Sequence, residues 1–320
     1  MPKLKFLNDP GTAIELPQSG SMPAEWHVFE PRTIQAINAA IAARRPLLVR
    51  GDPGVGKSQL ARAAAHRLGR AFISFVVDSR TESRDLLYHF DAVQRLADAQ
   101  IYGHTQKDVE AARKKLVESN YVKPGPFWWA YAWTDAEKRS AGYSSCRRER
   151  PANWTPEDGC TVLIDEIDKG ESDVPNGLLE VLGAREFTPL GTTTPVVIDG
   201  VPPLVVITTN AERILPDAFL RRCFVLSLDL PKERHDLVAK LVERGTAHFR
   251  KVDPTVIKAA AELLATEREQ SPQTPRPGQA EFLDLIRAVS EIEDETAAQI
   301  SQLNALKQFA FQKRGGPGAL

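Results

Sequence analysis

An α/β fold followed by a helical C-terminal region is what this 320-residue sequence predicts, and three observations carry the prediction. Short apolar runs recur at residues 46–50, 161–165, 204–209 and 224–227, each bounded by polar or turn-forming residues, as buried strands are. The first run passes directly into a glycine-rich loop and then an amphipathic helical pattern with Leu60, Ala61, Ala64, Ala65 and Leu68. Beyond Pro231 the character changes, and helices are expected over 232–247, 254–268, 278–292 and 296–313, with Phe282, Leu285, Ile286, Val289 and Ile292 recurring at helical spacing.

The balance of 42% hydrophobic to 26% charged residues is that of a globular chain able to bury a sizeable core. A formal net charge of -1 supplies no global attraction to phosphate backbones or anionic membranes. Nucleic acid is therefore not an expected partner. Cys146, Cys160 and Cys223 show no CxxC spacing and the histidines no HExxH pattern, so free thiols in a reducing compartment are expected. The N-terminal MPKLKFLNDPG lacks the apolar core of a signal peptide, and no apolar run approaches the roughly 20 residues that span a bilayer. A cytoplasmic protein is the expectation.

The loop after the first strand, Gly51-Asp52-Pro53-Gly54-Val55-Gly56-Lys57-Ser58, is a complete GxxxxGKS phosphate-binding motif. Its glycines let the backbone curl so that N–H groups point at phosphate oxygens, and the helix starting near Lys57 adds its positive end. Together with Gln59 these residues are the candidate nucleotide-binding set. Lys57 is expected on the β- and γ-phosphates and Ser58 on Mg²⁺.

The second strand run, Thr161-Val162-Leu163-Ile164, ends in Asp165-Glu166. An aspartate there can hold Mg²⁺ and the following glutamate can orient and polarise an attacking water, so Asp165 is assigned to the metal and Glu166 to the water. Solvated acids also end many strands, but that reading does not predict a phosphate loop upstream. The third run, Leu204–Thr209, ends in Asn210, which either helps position the same water or is an ordinary turn residue. Pro216–Cys223 then places Arg221 and Arg222 at the end of a short helix, where cations are favoured in any case.

The order GDPGVGKS, VLIDE, ITTN, FLRR resembles the AAA+ ATPases over most of residues 28–290. Within them the chain looks like the MoxR-type branch, relatives of the CbbQ, NorQ and GvpN-like ATPases. Asp85-Leu86-Leu87-Tyr88, an insertion before a "GPF" helix, and a hairpin-like stretch around Arg185–Leu190 and Pro195–Asp199 favour that branch. The resemblance implies a P-loop NTPase fold, with a parallel sheet flanked by helices and a smaller all-α lid domain. It also implies an N-terminal extension (1–27), a nucleotide-binding domain (28–230) with insertions near 90–123 and 134–158, a lid (231–313) and a flexible tail (314–320). By the same resemblance ATP and Mg²⁺ are the cofactors, Asn210 is the first sensor, and Arg222 with Arg221 is the arginine finger donated to a neighbour. Arg276, in Thr274-Pro275-Arg276-Pro277, is the second sensor, although a solvated linker arginine fits the same residues. The implied active form is a homo-oligomeric ring, usually a hexamer, acting chaperone-like on a protein partner, often a separate protein with a von Willebrand factor A domain. The DxSxS motif of such a domain is absent here, since Asp78–Ser83 matches it only superficially.

Two alternatives share these motifs. One is a nucleic-acid-linked motor or GTP-using restriction-type relative, kept open by the basic clusters Arg113-Lys114-Lys115 and Arg147-Arg148; the other is a nucleotide-gated scaffold without turnover. Two stretches stand outside the motifs. PGPFWWAYAW (124–133) is expected as a helix packed partly on the core and partly at a subunit interface or partner, because Phe127 and Tyr131, like Trp129 and Trp133, are four residues apart. Residues 134–158 are polar with mixed charge and read as a surface insertion, in which Cys146 is either an incidental surface thiol, the favoured reading, or a thiol made reactive by its basic neighbours.

Overall fold

The structure is a computed structural model and describes residues 4–20, 22–105, 109–141, 148, 150–270 and 276–311. Cys146 and Arg147, Thr274 and Pro275, and the expected tail lie outside the described residues. In chain order the elements begin with β1 (Ala13–Leu16), β2 (Glu25–Val28), α1 (Pro31–Ala43), β3 (Leu47–Arg50), α2 (Lys57–Leu68) and β4 (Ala71–Val76). Next come β5 (Tyr88–Phe90), α3 (Ala92–Thr105), α4 (Val109–Lys115), β6 (Val122–Pro124), α5 (Pro126–Tyr131), α6 (Trp133–Ser140) and β7 (Cys160–Asp165). Then follow α7 (Asp173–Ala184), β8 (Glu186–Phe187), β9 (Val196–Val197), β10 (Leu204–Thr209), α8 (Asp217–Leu220) and β11 (Phe224–Ser227). Four helices close the chain: α9 (Arg234–His248), α10 (Pro254–Gln270), α11 (Gln279–Ile292) and α12 (Thr296–Phe311).

The four apolar runs are β3, β7, β10 and β11, and with β4 they make a five-stranded parallel sheet in the order β11-β3-β10-β7-β4. Burial on both faces explains why the central strands β3, β10 and β7 read as continuous apolar runs rather than alternating ones, whereas the edge strands β11 and β4 leave Val225 and Val76 exposed. Val162, Ile164, Val206 and Ile207 are each wholly buried. Non-consecutive neighbours require helical crossovers, which α2 and α7 supply between strands. β8 and β9 form the short antiparallel hairpin anticipated before the third apolar run.

Two compact units divide the chain. The first comprises residues 1–7, 35–48 and 64–225 and contains most of the sheet. The second comprises 8–34, 49–63 and 226–320; its core joins Val55 to Leu241, Ile257, Leu264, Phe282, Ile286 and Leu303 of the C-terminal helices. Helical spacing beyond Pro231 is thus realised as helices whose apolar faces meet each other, except that Ile292, at the last position of α11, is 56% exposed.

The aromatic stretch lies inside the core of the first unit. Pro126 opens α5 at a position that needs no backbone donor, and all six α5 residues are buried. Ala132, at φ -140° and ψ 72°, breaks the helix and starts α6. Phe127 meets Tyr131 edge-on at 5.7 Å, and Trp129 meets Trp133 at 4.9 Å. Trp128 meets Phe187 of β8 edge-on at 5.9 Å and donates its indole N–H to Asp135 at 2.7 Å. This corrects the expectation that part of the stretch lines an interface, because each of its large aromatic side chains is spent on packing.

The 134–158 segment is likewise not all surface. Trp133, Ala136 and Ser140 are the buried face of α6. Trp154 returns to stack on Trp133 at 4.6 Å and donates its N–H to the Gly159 carbonyl at 2.9 Å. Truncating Trp154 to alanine leaves an aromatic-sized cavity beside Trp133. Urea unfolding should show a loss of about 3–5 kcal/mol; a loss typical of an exposed position would contradict the burial.

Candidate nucleotide site

The glycine loop belongs to the second unit. Gly51 has φ 155° and lies so close to Leu228 that a Cβ would collide with its carbonyl oxygen. Gly54, at φ 77°, meets α11: the Ala280 N–H donates to the Gly54 carbonyl at 3.0 Å. Only glycine tolerates both demands. The loop runs into the N-terminus of α2, whose first turn carries no acid to oppose an anion. Lys57 is buried at 7% exposure, its ammonium donating to the Gly51 and Asp52 carbonyls at 2.7 and 2.9 Å. A cradle of turned backbone, a helix start and a buried lysine fits a polyphosphate.

Gln59, one residue past the motif, is turned toward β2. Its amide donates to Glu25 Oε2 at 3.0 Å and to the Trp26 carbonyl at 3.4 Å, and its oxygen lies 3.2 Å from His27 Nδ1. Arg62 of α2 donates to the Pro23 and Pro17 carbonyls. The β1–β2 hairpin therefore grips the helix that follows the loop.

Part of His27 reaches solvent, but its Nε2 is buried and has no partner. Burial pushes its pKa from 6.5 down to about 4, outweighing the Gln59 contact and helped by the nearby Arg244 and His248. The folded form thus resists protonation that the unfolded chain accepts at about 6.5. Its stability contribution is complete above pH 6.5 and is lost as pH falls toward 4, by up to about 3 kcal/mol. Denaturation at stepped pH should show that slope, and His27→Phe should flatten it; an unchanged slope would place the acid sensitivity elsewhere.

Arg276 is exposed and precedes α11. It lines a cavity of about 560 Å³ in the second unit together with Asp52 of the loop, Lys232 and Arg268. Arg268 is half-buried and donates to the Pro277 carbonyl at 2.5 Å, which fixes the backbone beside Arg276; burial lowers the Arg268 pKa, partly offset by Asp52. Across the same unit Glu30 pairs with Lys240 and Arg244, each at 2.8 Å, and Arg244 also donates to Gln279 at the start of α11.

The carboxylate pair belongs to the first unit. The parallel register puts Ile207 of β10 opposite Ile164 of β7, so Thr208 stands beside Asp165. The wholly buried Thr208 hydroxyl donates to Asp165 Oδ1 and accepts the Glu166 N–H at 2.9 Å. Glu166 takes a left-handed backbone, φ 58° and ψ 48°, at the sharp exit from the strand. Asn210 Nδ2 reaches Glu166 Oε1 at 3.5 Å, a long contact, and Lys169 Nζ reaches Oε2 at 2.5 Å. That carboxylate raises the Lys169 pKa and keeps the ammonium charged. Asp165, Glu166 and Asn210 are thus brought together at the ends of β7 and β10.

Sequence reasoning missed Thr208, Asp168 and Lys169. The signal for Thr208 was a hydroxyl at the end of an otherwise apolar run; for Lys169 it was a cation three residues after an acid. Asp168, 3% exposed, accepts the Glu212 N–H at 2.9 Å and ties the turn after β7 to the loop after β10.

Arg221 and Arg222 are exposed just past α8, whose backbone closes through Arg221 N–H to Asp217 O and Arg222 N–H to Phe219 O, both 3.0 Å. Arg45 donates to the Arg221 carbonyl at 2.8 Å. Arg222 lines a cavity of about 590 Å³ with Arg44, Arg45 and Glu180. No hydrogen bond or ion pair of its guanidinium is present among the described residues.

Several readings need no site. The Asp78–Ser83 stretch is a self-contained turn in which Asp78 accepts from the Arg80 N–H at 2.8 Å and the Thr81 hydroxyl at 3.0 Å. Cys160 is a buried free thiol whose pKa burial pushes up to about 12, and Cys223 is partly buried. Among the described residues no group of three or more His, Cys, Asp or Glu is arranged to hold a metal by itself, and no helix is long and apolar enough to cross a membrane.

A glycine-loop strand, a strand ending in paired acids and a polar-ended strand between them define a P-loop NTPase. The chain belongs to the AAA domain family, dynein-related subfamily, which matches residues 46–244. No curated protein matches it. Among solved structures it is similar to the P216G mutant of RuvB from Thermotoga maritima, with 15% identity, TM-score 0.45, and coverage of 86% of this chain and 68% of that one. It is also similar to a candidate ATPase from Cytophaga hutchinsonii ATCC 33406, with 16% identity, TM-score 0.37, and coverage of 84% and 66%. The chain therefore spans about two thirds of the length of either.

Proposed function

We propose that the chain is a Mg²⁺-dependent ATPase of the MoxR type, active as a ring, most simply a hexamer, and coupled to chaperone-like remodelling or activation of a protein partner. The observation that carries the reading is the Asp165–Glu166–Asn210 cluster knitted by Thr208. It supplies a carboxylate for a metal, a second for water and an amide beside it. In support, β10 and β7 are adjacent in the sheet, and they lead into Asn210 and the acid pair.

In this reading Gly51–Gly56 wrap the phosphates and Lys57 holds the β- and γ-phosphates. Ser58 and Asp165 offer hydroxyl and carboxylate oxygens, the donor set Mg²⁺ prefers. The ion, when bound, neutralises charge on the β- and γ-phosphate oxygens. Glu166 orients and polarises the attacking water and Asn210 steadies it. Arg276 contacts the γ-phosphate in the same copy. Arg222, assisted by Arg221, reaches the nucleotide of a neighbouring copy. Residues 231–313 form the lid, and a separate protein with a von Willebrand factor A domain is the partner class, in the cytoplasm.

Purified protein with Mg²⁺ and ATP should release phosphate at a rate that duplex DNA leaves unchanged at low salt. Strong stimulation by DNA, fading steeply as salt rises, would instead favour a nucleic-acid motor. Absence of any turnover would favour a scaffold.

A further inference from the structure

We propose that Lys169 is a positioning residue that restrains Glu166, occupying the carboxylate so that it does not engage the attacking water until the site is filled. This rests on the reading of Glu166 as the residue that orients the attacking water.

Residues Ile167–Lys169 form a 3₁₀ turn closed by Lys169 N–H to the Glu166 carbonyl at 3.0 Å. That bond closes the chain back on itself, bringing Lys169 beside Glu166, which stands just outside the turn with a left-handed backbone. The ammonium meets Oε2 at 2.5 Å. Both ends of the pair are anchored. Glu166 is fixed through its N–H to Thr208, and the turn bearing Lys169 is fixed through buried Asp168 to the Glu212 N–H. Most exposed ion pairs lack such backbone support, and their side chains pay entropy to meet.

The two donors on Glu166 are unequal. Asn210 approaches Oε1 at 3.5 Å, a reach a small shift would abolish or tighten, whereas Lys169 makes a short charged bond to Oε2. An oxygen held by an ammonium is a poorer acceptor for a water proton. Asp168 and Glu212 are the other acids facing the lysine, and Asp168 is already engaged by the Glu212 N–H. The neighbouring cation Arg213 is directed to the Gly170 carbonyl and Glu171 instead. Lys169 is therefore the cation assigned to Glu166, and releasing it frees the carboxylate to take water.

Lys169 is 44% exposed and Glu166 30%, so the restraint has the strength of a half-exposed pair. Lys169→Met should raise basal kcat about two- to five-fold with unchanged affinity for a non-hydrolysable ATP analogue. Lys169→Arg should stay near the wild-type rate, and Lys169→Met added to Glu166→Gln should gain nothing. An unchanged or lowered kcat for Lys169→Met overturns the proposal. A readout without turnover is trace acetylation of the nucleotide-free protein, scored by mass spectrometry. Lys169 should react several-fold more slowly in the wild type than in Glu166→Gln, and equal rates would mean that the pair does not form. If Glu166→Gln hydrolyses ATP normally while Lys169 remains protected in the wild type, the pair stands and the water-orienting reading of Glu166 has failed.

Discussion

Replacing Arg222 with alanine is expected to lower ATP turnover by about three orders of magnitude or more while leaving nucleotide affinity within a few-fold of wild type. A guanidinium delivered to the transferring phosphoryl group is worth roughly 10³–10⁵ in kcat. Arg222 suits that role because it is exposed and its guanidinium makes no hydrogen bond or ion pair among the described residues. Its loss should also spare the fold, since the turn after α8 is closed by backbone bonds and by Arg45 on the Arg221 carbonyl. The check is a pair of measurements on one preparation: steady-state phosphate release, and equilibrium binding of a fluorescent ATP analogue. Loss of binding along with turnover would mean that Arg222 holds nucleotide in its own copy or supports the fold.

Glu166→Gln should retain ATP binding and lose about 10²–10⁴ in kcat, the usual contribution of a positioned base. The amide keeps the size and the Asn210 neighbourhood of the side chain but supplies no carboxylate to take a proton. Ser58 and Asp165, the proposed metal donors, remain, and Thr208 still holds Asp165. Turnover near wild type would remove Glu166 from the chemistry and shift attention to Asp165 and the buried Asp168. Binding should tighten in apparent terms under turnover conditions, because bound ATP no longer leaves as product.

The sequence made legible those parts in which residue type and order carry the physics. A glycine loop after an apolar run, two acids at a strand end and an amide after a third run require no knowledge of packing, and each is found after its strand. Helical spacing likewise located α9 to α12 to within a few residues. What stayed hidden depended on register or on burial from all sides. Thr208 matters because β10 is aligned with β7 so that it meets Asp165, and register is not written in one strand alone. α5 is too short for its periodicity to mean much, and every one of its residues is covered, so no apolar stripe distinguishes core from interface. Trp154 sits among polar neighbours, and only contact with Trp133 reveals it as core. The β1–β2 hairpin, expected as an extension, grips α2 through Gln59 and Arg62 by side-chain bonds that no local pattern announces.

Hydrolysis by mixtures of two inactive variants tests the shared site most directly. Arg222→Ala copies keep Glu166, and Glu166→Gln copies keep Arg222, so a mixed ring contains sites where an intact glutamate faces a neighbour's intact arginine. Phosphate release, titrated across mixing ratios with co-assembly confirmed by size, should rise from the near-zero of either variant to a maximum near equal proportions. Co-assembled mixtures that stay as inactive as the separate variants would contradict a finger acting between copies, and with it the ring ATPase proposed for this chain.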